Sequence, residues 1–343
     1  MLFRSNFFFH DKELRDNPPL AKELRNDSIA PAVNPYNHQL HVYDKNRPEN
    51  IEFLKRFRAL LDEYPGTTAV GEVGDAQIGL QIVSDYTSGN DKMHMCYAFE
   101  FLANEKLTAP RVRKVMTDFN TVAPEGWACW AFSNHDVVRH ASRWGSDVKD
   151  LDHYLRLLAG LIMTLRGSIC LYQGEELGLT EADLAFEDLQ DPYGIQFWPD
   201  FKGRDGCRTP MVWSEHEQSA GFTNGQPWLP VPPEHRQLAV DAQDHVQASM
   251  LNHYRRLLTF RHAHRPLSKG SLEFPESGDQ VLAMIRRDGN ESIYCAFNMS
   301  DQMQVIDRPE GLVESLDGHG FSGFLRSETI ELSPYDAFFG RLG

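Results

Sequence analysis

Short apolar runs rich in aromatic and β-branched residues recur between residues 67 and 172. Four of them have the length and composition of buried strands: TTAV from Thr67, MCYAFEF from Met95, ACWAF from Ala128 and SICLY from Ser168. Between and around these runs, apolar residues recur at helical spacing, in IEFLKRFRALLDEYPG, APRVRKVMTDFN and DVKDLDHYLRLLAGLIMTLRG. Strand and helix therefore alternate. This alternation predicts an α/β fold of parallel strands with helical crossovers, either a barrel or an open doubly wound sheet.

The rest of the chain has different sequence patterns. Residues 174–243 are rich in Pro and Gly and lack periodicity, which predicts functional loops. A helix then returns, with an apolar face formed by Val246, Met250, Tyr254, Leu257 and Leu258. From about Leu267 short alternating runs follow, and Asp288-Gly289 predicts a hairpin turn. We therefore expect an α/β domain over residues 1–266, with its long loops at 174–243, and a small antiparallel β domain over residues 267–343.

Composition and charge narrow the class of protein. The chain has 41% hydrophobic and 24% charged residues, which is ordinary for a soluble globular protein. Its formal net charge of −15 disfavours binding to nucleic acid or anionic lipid. No apolar run reaches the roughly 18 residues of a membrane span, and the first residues lack the features of a signal peptide. We expect a cytoplasmic protein with neither nucleic acid nor membrane as a partner.

The cysteines and histidines give no signature of a metal or cofactor. The five cysteines are scattered and lack a CxxC pair, which suits reduced thiols. The pair His262 and His264 has few candidate ligands nearby in the sequence. The chain also lacks the glycine-rich GxGxxG turn that a nicotinamide or flavin enzyme on a doubly wound sheet requires. We therefore predict no metal site and no cofactor.

Polar residues follow the strand-like runs. They are Glu72; then Asn134, His135 and Asp136; then Gln173, Glu175 and Glu176. In barrels and open sheets the carboxyl ends of the strands meet on one side, where loops present reactive side chains. Paired carboxylates suit glycoside hydrolysis, because one acid protonates the leaving oxygen while another meets the positive charge on the sugar ring. Glu72 and Asp136 are the candidates, whereas Glu175 and Glu176 are expected to be framework acids that pair or cap.

Three arginines near these runs have simpler interpretations than a binding site. Arg208 is expected to brace Asp205 or a backbone carbonyl. Arg139 and Arg143 are four residues apart, a spacing that predicts an exposed helical face rather than a phosphate site.

Six segments together resemble the motifs of a known family: NFFFHDKELRDN, GEVGD, FSNHD, YQGEELGL, DPYGIQFWP and GRDGCRTPMVW. From about Asn6 to its C-terminus the chain resembles family 13 of the glycoside hydrolases, the α-amylase superfamily. It is most similar to bacterial α-glucosidases of the oligo-1,6-glucosidase type. This resemblance implies the C-terminal half of a (β/α)8 TIM barrel, with strands 5–8 and their helices, followed by a C-terminal antiparallel β-sandwich. It also implies retaining hydrolysis of terminal α-glucosidic bonds in small oligosaccharides such as maltose, sucrose or isomaltose.

The resemblance assigns roles to individual residues. Glu72 matches the general acid/base, and Asp136 matches the acid that stabilises the distorted, transition-state-like sugar. His135 matches the histidine that donates a hydrogen bond to sugar hydroxyls. Arg204 matches the arginine that holds the terminal glucose, and the loop over residues 221–235 is expected to form part of the pocket rim.

The nucleophile of the family has no counterpart in the chain. A retaining mechanism needs a second carboxylate roughly 5 Å from the acid/base. In the family this is the Asp of a Phe-Arg-x-Asp-x-x-Asn motif, whose Asn matches Asn6, and Phe3 then stands at the place of the Asp. We expect a truncated form without the nucleophile and the first half of the barrel, derived from a parent that is a monomer or homodimer. The alternatives are a sucrose-type transglucosidase or isomerase, or a catalytically inactive fragment.

Overall fold

The structure is a computed structural model that describes residues 2–25, 30, 32, 34–75 and 77–343. The strands are β1 Leu2–Arg4, β2 Val70–Val73, β3 Met95–Ala98, β4 Ala128–Trp130, β5 Ser168–Ile169, β6 Ser271–Glu273, β7 Val281–Asp288, β8 Glu291–Asn298, β9 Gln304–Asp307, β10 Leu312–Ser315, β11 Phe324–Leu325, β12 Thr329–Leu332 and β13 Ala337–Leu342. The α-helices are α1 Glu49–Asp62, α2 Gly79–Thr87, α3 Ala109–Val122, α4 His140–Arg143, α5 Leu151–Ile162, α6 Pro192–Phe197, α7 Pro233–Arg236, α8 Val240–Asp244, α9 Met250–Ala263 and α10 Arg265–Lys269.

The chain divides into two compact units. The first unit comprises the described residues up to Asn104 together with Val115–Ala131 and Gly167–Cys170. The second unit comprises Glu105–Lys114, Phe132–Arg166 and Leu171–Gly343.

Five parallel strands form the sheet of the first unit, in the order β1-β2-β3-β4-β5. Helices alternate with these strands along the chain, with α1 before β2, α2 before β3 and α3 before β4. The predicted α/β alternation is therefore confirmed. Each strand lies beside the strand that precedes it in the chain. Strands of a barrel follow one another in this way, whereas a doubly wound sheet reverses its order at a switch point.

The bounds of the first-unit elements differ from the sequence prediction in three places. The run from Thr67 does not become a strand until Val70, so Glu72 is the third residue of β2 rather than a residue beyond its end. Strand β1 has no apolar periodicity of its own and is defined by its pairing, with Arg4 opposite Glu72. Helix α2 was also missed, because it has only nine residues and begins at Gly79. Each miss involves an element too short for periodicity to reveal.

Trp130 lies at the centre of the first unit and is fully buried. Its ring centroid lies 5.3 Å from those of Phe101 and Phe119, and the contact with Phe119 is edge to face, at 84°. Phe101 follows β3, and Phe119 lies on α3. This aromatic cluster therefore packs a helix and a loop against β4.

Two antiparallel sheets belong to the second unit, with strand orders β10-β13-β8-β7-β6 and β11-β12-β9. The predicted antiparallel β region is therefore present, and so is its hairpin. Strands β7 and β8 pair with Asp288 opposite Glu291, and Gly289 adopts a φ of +59°, as the tight turn requires. Apolar side chains from both sheets share one core: Val281, Ala283, Tyr294, Ala296, Leu312, Ile330, Leu332, Phe338 and Leu342.

The predicted helix after the long loops is α9, which begins after Ser249. The Ser249 side chain accepts a hydrogen bond from the backbone N–H of Asn252, a typical N-cap. Met250, Tyr254 and Leu257 are buried, as predicted. The prediction is wrong for Val246, which precedes the helix and is 51% exposed, and for Leu258, which is 39% exposed.

Arg286 on β7 is fully buried in the second unit and donates to backbone carbonyls. Its Nε and Nη2 donate to Ser271 and Gly270, each at 2.9 Å, and its Nη1 donates to Leu267 at 3.0 Å and to Thr164. Thr164 lies just past the C-terminal end of α5, and Leu267 and Gly270 lie at the end of α10. A cation is favourable there because carbonyl groups at helix ends lack partners within the helix.

The substitution Arg286→Met tests this arrangement. We expect it to lower the free energy of unfolding by about 3 kcal/mol, because four carbonyl groups lose a donor and only that of Leu267 is also bound by Arg261. The control Arg287→Met alters the next residue, which is partly exposed, and should change stability by less than about 0.5 kcal/mol. Urea unfolding of both variants measures the difference. Equal losses would show that the buried hydrogen bonds do not stabilise the protein.

Candidate active site

Glu72 is held by a closely packed backbone in the first unit. Its carbonyl accepts hydrogen bonds from the backbone N–H and the Oγ of Ser5, both at 3.0 Å. A Cβ on the preceding residue, Gly71, would lie 2.8 Å from the Oγ of Ser5 and 3.0 Å from the Sγ of Cys96. Only glycine fits at this position without a shift of its neighbours. The half-buried Glu72 is therefore fixed from both sides in the sheet.

The loop that follows Glu72 is fixed by a buried ion pair. The carboxylate of Asp75 lies 3.1 Å from the Nζ of Lys45 and accepts a 2.8 Å hydrogen bond from the Nδ2 of Asn46. Lys45 also donates to the carbonyl of Gly74 at 3.0 Å. Burial raises the pKa of Asp75, but the charge of Lys45 and two backbone N–H groups outweigh it and hold the pKa below its usual value. Sequence reasoning missed Lys45 and Asp75, which lie 30 residues apart in the chain.

Asp136 in the second unit is presented by a local turn. The side-chain oxygen of Asn134 accepts hydrogen bonds from the backbone N–H groups of Asp136, at 2.8 Å, and Val137, at 3.1 Å. This is an Asx-turn, in which the side chain takes the place of a backbone carbonyl. The carboxylate of Asp136 remains 21% exposed, so it is accessible to a ligand.

Two guanidinium groups hold the carboxylate of Asp136. The Nη1 of Arg204 donates to its Oδ1 at 2.7 Å, and the Nη2 of Arg208 donates to the same oxygen at 3.1 Å. The Nε2 of His135 lies 3.4 Å from Oδ2, and its side chain is 56% exposed. Hydrogen bonds to charged groups are the stronger ones, so the carboxylate is well fixed. Arg204 also binds the fully buried carboxylate of Asp191, a residue to which sequence reasoning gave no role.

The structure thus brings together three of the residues that the resemblance singles out: His135, Asp136 and Arg204. Glu72, the fourth, lies on β2 in the first unit. A carboxylate held by two guanidinium groups, with a histidine and an exposed edge, can accept hydrogen bonds from the hydroxyl groups of a polar ligand.

Arg208 partly follows the expectation from the sequence. Its Nε donates to the backbone carbonyl of His135 at 2.7 Å, so the predicted contact with a carbonyl is confirmed. The contact with Asp136 was missed. No local signal could have shown it, because the two residues lie 72 positions apart.

The neighbouring acids Glu175 and Glu176 lie within the framework of the second unit. The carboxylate of Glu175 is buried, and its Oε1 lies 3.5 Å from the Nδ1 of His140 without forming a hydrogen bond. Glu176 accepts a 2.8 Å hydrogen bond from the backbone N–H of Gly174, and burial raises its pKa.

The prediction of an exposed helical face at Arg139 and Arg143 is wrong for both residues. Arg143 is half-buried and donates to the carbonyls of Val138 and Phe132. Arg139 precedes the short helix α4 and is only 1% exposed. Its Nη1 and Nη2 donate to the carbonyls of Gln173, at 2.7 Å, and Cys207, at 2.9 Å. Partners distant in sequence therefore override the local spacing.

Glu181 is a half-buried acid beside Arg139. Its Oε2 accepts a 2.9 Å hydrogen bond from the backbone N–H of Arg139. Burial raises the pKa of Glu181 to about 7, and the hydrogen bond and charge of Arg139 offset only part of this effect.

In the part of the chain that the structure describes, no group of three or more His, Cys, Asp or Glu side chains is arranged to hold a metal ion. Within the same residues, no helix combines the length and apolar character that a membrane crossing requires.

Comparison with known proteins finds a matching protein family. The family model for the α-amylase catalytic domain matches residues 17–270. A "probable alpha-glucosidase" of Rhizobium meliloti (strain 1021) is 60% identical over 337 residues, which cover 98% of this chain and 61% of the relative. An oligo-1,6-glucosidase of Parageobacillus thermoglucosidasius is 29% identical, over 79% of this chain and 53% of the relative.

Solved structures match as well. The crystal structure of the α-glucosyl transfer enzyme XgtA matches with a TM-score of 0.93 and 41% identity, over 100% of this chain and 64% of that protein. An isomaltulose synthase of Klebsiella sp. LX3 matches with a TM-score of 0.76 at 22% identity, which shows the fold alone. This match covers 86% of this chain and 59% of the synthase. The chain therefore spans about three fifths of the length of most of these relatives.

The variant Glu181→Gln tests the raised pKa of this half-buried acid. The raised pKa means that folding favours the protonated carboxyl, so this stabilisation is complete below the usual pKa of 4.5 and is lost as pH rises through about 7. Over that range the wild type should lose on the order of 2 kcal/mol of unfolding free energy relative to Glu181→Gln. Urea unfolding at a series of pH values measures this difference. The exposed control Glu187→Gln should show no such trend, and a flat difference for Glu181→Gln would contradict the raised pKa.

Proposed function

The chain belongs to the α-amylase family, and from this membership we propose that it carries α-glucosidase-type chemistry. The reaction would be the retaining hydrolysis of terminal α-glucosidic bonds in small oligosaccharides, such as maltose, sucrose or isomaltose. The 60% identity to a protein named a probable alpha-glucosidase supports this choice within the family. We keep the predictions of a cytoplasmic location and of a monomeric or homodimeric parent.

The observation that carries the proposal is the carboxylate of Asp136 between Arg204 and Arg208. An oxocarbenium-like transition state gains positive charge, which an ionised carboxylate stabilises more strongly than it stabilises the neutral ground state. The two arginines fix one oxygen of the Asp136 carboxylate. In this proposal Asp136 is the transition-state stabiliser, and His135 and Arg204 bind hydroxyl groups of the glucose.

Glu72 is assigned the role of general acid/base. Such a residue must protonate the leaving oxygen and later activate water, so its carboxyl group has to be held at one place. The tight packing around Gly71 and the braced loop at Asp75 supply this rigidity. We also propose that β2–β5 are strands 5–8 of a (β/α)8 barrel and that β1 is the end of the strand before them.

Phe3 is central to the activity of this chain. It pairs with Gly71 on β2, and it stands three positions before Asn6, where the family has its nucleophilic Asp. We propose that this chain lacks the nucleophile, so that it forms no covalent glucosyl intermediate at an efficient rate.

A transglucosidase is the second candidate function. The solved structure with 41% identity is an α-glucosyl transfer enzyme, which favours this candidate over the isomaltulose synthases that match at about 20% identity. Hydrolysis and transfer differ in whether water or a sugar accepts the glucose. Product analysis with maltose and sucrose would separate them.

The variant Phe3→Asp tests the assignment of the nucleophile. We expect it to hydrolyse p-nitrophenyl α-glucoside at least about 10³-fold faster than the wild type, because it restores the missing carboxylate. In this background Glu72→Gln should reduce the hydrolysis of maltose more than that of the nitrophenyl substrate, whose leaving group needs little protonation. Release of nitrophenol and glucose measures both rates.

The control for Glu72→Gln is Glu63→Gln, which makes the same change at an exposed residue. It should leave both rates unaltered. If the wild type is as fast as Phe3→Asp, the nucleophile lies elsewhere. If no variant hydrolyses either substrate, the proposed hydrolysis by this chain is wrong.

Ligand binding tests Asp136 without turnover. The iminosugar 1-deoxynojirimycin is a cationic glucose analogue, so it should bind Asp136→Asn roughly 10-fold more weakly than wild type, a loss of about 1.4 kcal/mol. The control Asp183→Asn makes the same change at a carboxylate that is 82% exposed and should not alter the affinity. Calorimetric titration measures both. Equal affinity of Asp136→Asn and wild type would contradict the assignment.

A further inference from the structure

Asp191 lies just before α6 and is completely buried. The side chain has 0% exposure, and its Oδ1 accepts a 3.3 Å hydrogen bond from the backbone N–H of Tyr193 in the first turn of the helix. A charge at such depth is costly unless it is paired and hydrogen-bonded. The cost of burying this charge must therefore be offset by its hydrogen-bond partners.

Arg204 supplies three donors to this carboxylate. Its Nε donates to Oδ2 of Asp191 at 2.9 Å, its Nη2 donates to Oδ1 at 2.8 Å, and its backbone N–H donates to Oδ2 at 2.9 Å. The two side-chain bonds form the parallel fork that a planar guanidinium makes with a carboxylate. The fork occupies Nε and Nη2 and directs Nη1 to Asp136.

A second buried acid anchors Asp191 itself. The Oδ2 of Asp205 accepts hydrogen bonds from the backbone N–H groups of Gln190, at 2.6 Å, and Asp191, at 2.7 Å. Asp205 is 0% exposed and directly follows Arg204 in the chain. Two acids therefore connect these segments. Asp191 binds Arg204, and Asp205, which follows Arg204, binds the backbone at Asp191.

Two glycines allow these segments to touch. A Cβ on Gly194 would lie 2.7 Å from the carbonyl oxygen of Lys202 and 2.9 Å from the Cα of Gly203. Gly203 has a φ of +85°, and a Cβ there would lie 3.2 Å from the Oδ2 of Asp191. A side chain at either position would push the fork apart.

We propose that Asp191 is a positioning residue that fixes Arg204 and, through Arg204, one oxygen of Asp136. This inference rests on the proposed function, in which Asp136 and Arg204 bind glucose. Asp191 and Asp136 together balance the charges of Arg204 and Arg208. Without the charge of Asp191, the guanidinium of Arg204 is free to turn its fork onto Asp136 and to occupy both oxygens of that carboxylate.

The electrostatics of the pair agree with this role. Burial raises the pKa of Asp191, but the hydrogen bonds and charge of Arg204 outweigh it and hold the pKa below the usual value. The hydrogen bond to Asp191 likewise raises the pKa of Arg204, more than burial lowers it. Both groups therefore stay charged across the physiological pH range.

Arg208 offers an internal comparison. It also binds Asp136, but its Nε is held by the carbonyl of His135 and not by Asp191. Loss of Asp191 should therefore release Arg204 and leave Arg208 in place.

The test uses Asp191→Asn, with Asp188→Asn as the matched control on the exposed surface three residues earlier. The Nε–H signal of Arg204 is identified by NMR from its absence in Arg204→Met. We expect Asp191→Asn to lose or shift this signal and to bind 1-deoxynojirimycin at least about 10-fold more weakly, while Asp188→Asn resembles the wild type. In the Arg204→Met background, Asp191→Asn should cause no further loss of affinity, because Asp191 acts through Arg204.

The inference would be wrong if Asp191→Asn left the Nε–H signal or the affinity for 1-deoxynojirimycin unchanged. It would also be wrong if Asp191→Asn weakened binding in the Arg204→Met background by as much as it does in the wild type. If the wild type does not bind the iminosugar, the proposed function fails, and the Nε–H signal still decides whether Asp191 holds Arg204. Should Asp191→Asn fail to fold, Asp191→Glu keeps the charge but moves it by one methylene, and the same shifted signal and weaker binding are expected.

Discussion

A guanidinium group carries five N–H donors in one plane, and it can be buried only where acceptors meet those donors. The second unit satisfies this requirement repeatedly. Arg286 is surrounded by carbonyls at the ends of two helices, Arg139 joins the carbonyls of two loops, and Arg204 is forked onto a buried carboxylate. Each of these arginines connects segments that lie far apart in the chain. In the long loop region, arginine contacts act together with a cluster of buried apolar side chains that includes Leu177, Leu179 and Val212.

The two acids that the sequence singles out are held in different ways. Glu72 is fixed through its backbone, because the packing at Gly71 leaves no room for a side chain and Ser5 binds the Glu72 carbonyl. Asp136 is fixed through its side chain, by two arginines. The second arrangement suits the proposed role of Asp136, because a group that stabilises positive charge gains from a carboxylate oxygen that is already held in place.

Residue 3 and residue 191 differ in what the sequence reveals about them. The sequence alone shows that Phe3, three residues before Asn6, departs from the family motif. It does not predict the contacts of Asp191, because Asp191 and Arg204 lie 13 residues apart without any intervening periodicity. In our proposals, residue 3 bears on whether a covalent intermediate can form, and Asp191 bears on how Arg204 and Asp136 are held.

The sequence by itself determined the alternation of helix and strand, the antiparallel tail with its hairpin at Asp288, and the polar residues that follow β4 and β5. These features rest on local patterns, since periodicity and turn chemistry act over a few neighbouring residues. The tertiary structure alone decided that Arg139 is buried, that Arg208 reaches Asp136, and that Lys45 pairs with Asp75. The physical reason is that a buried charge takes its partner from whichever segment folding brings within about 3 Å, and no local pattern encodes that neighbour.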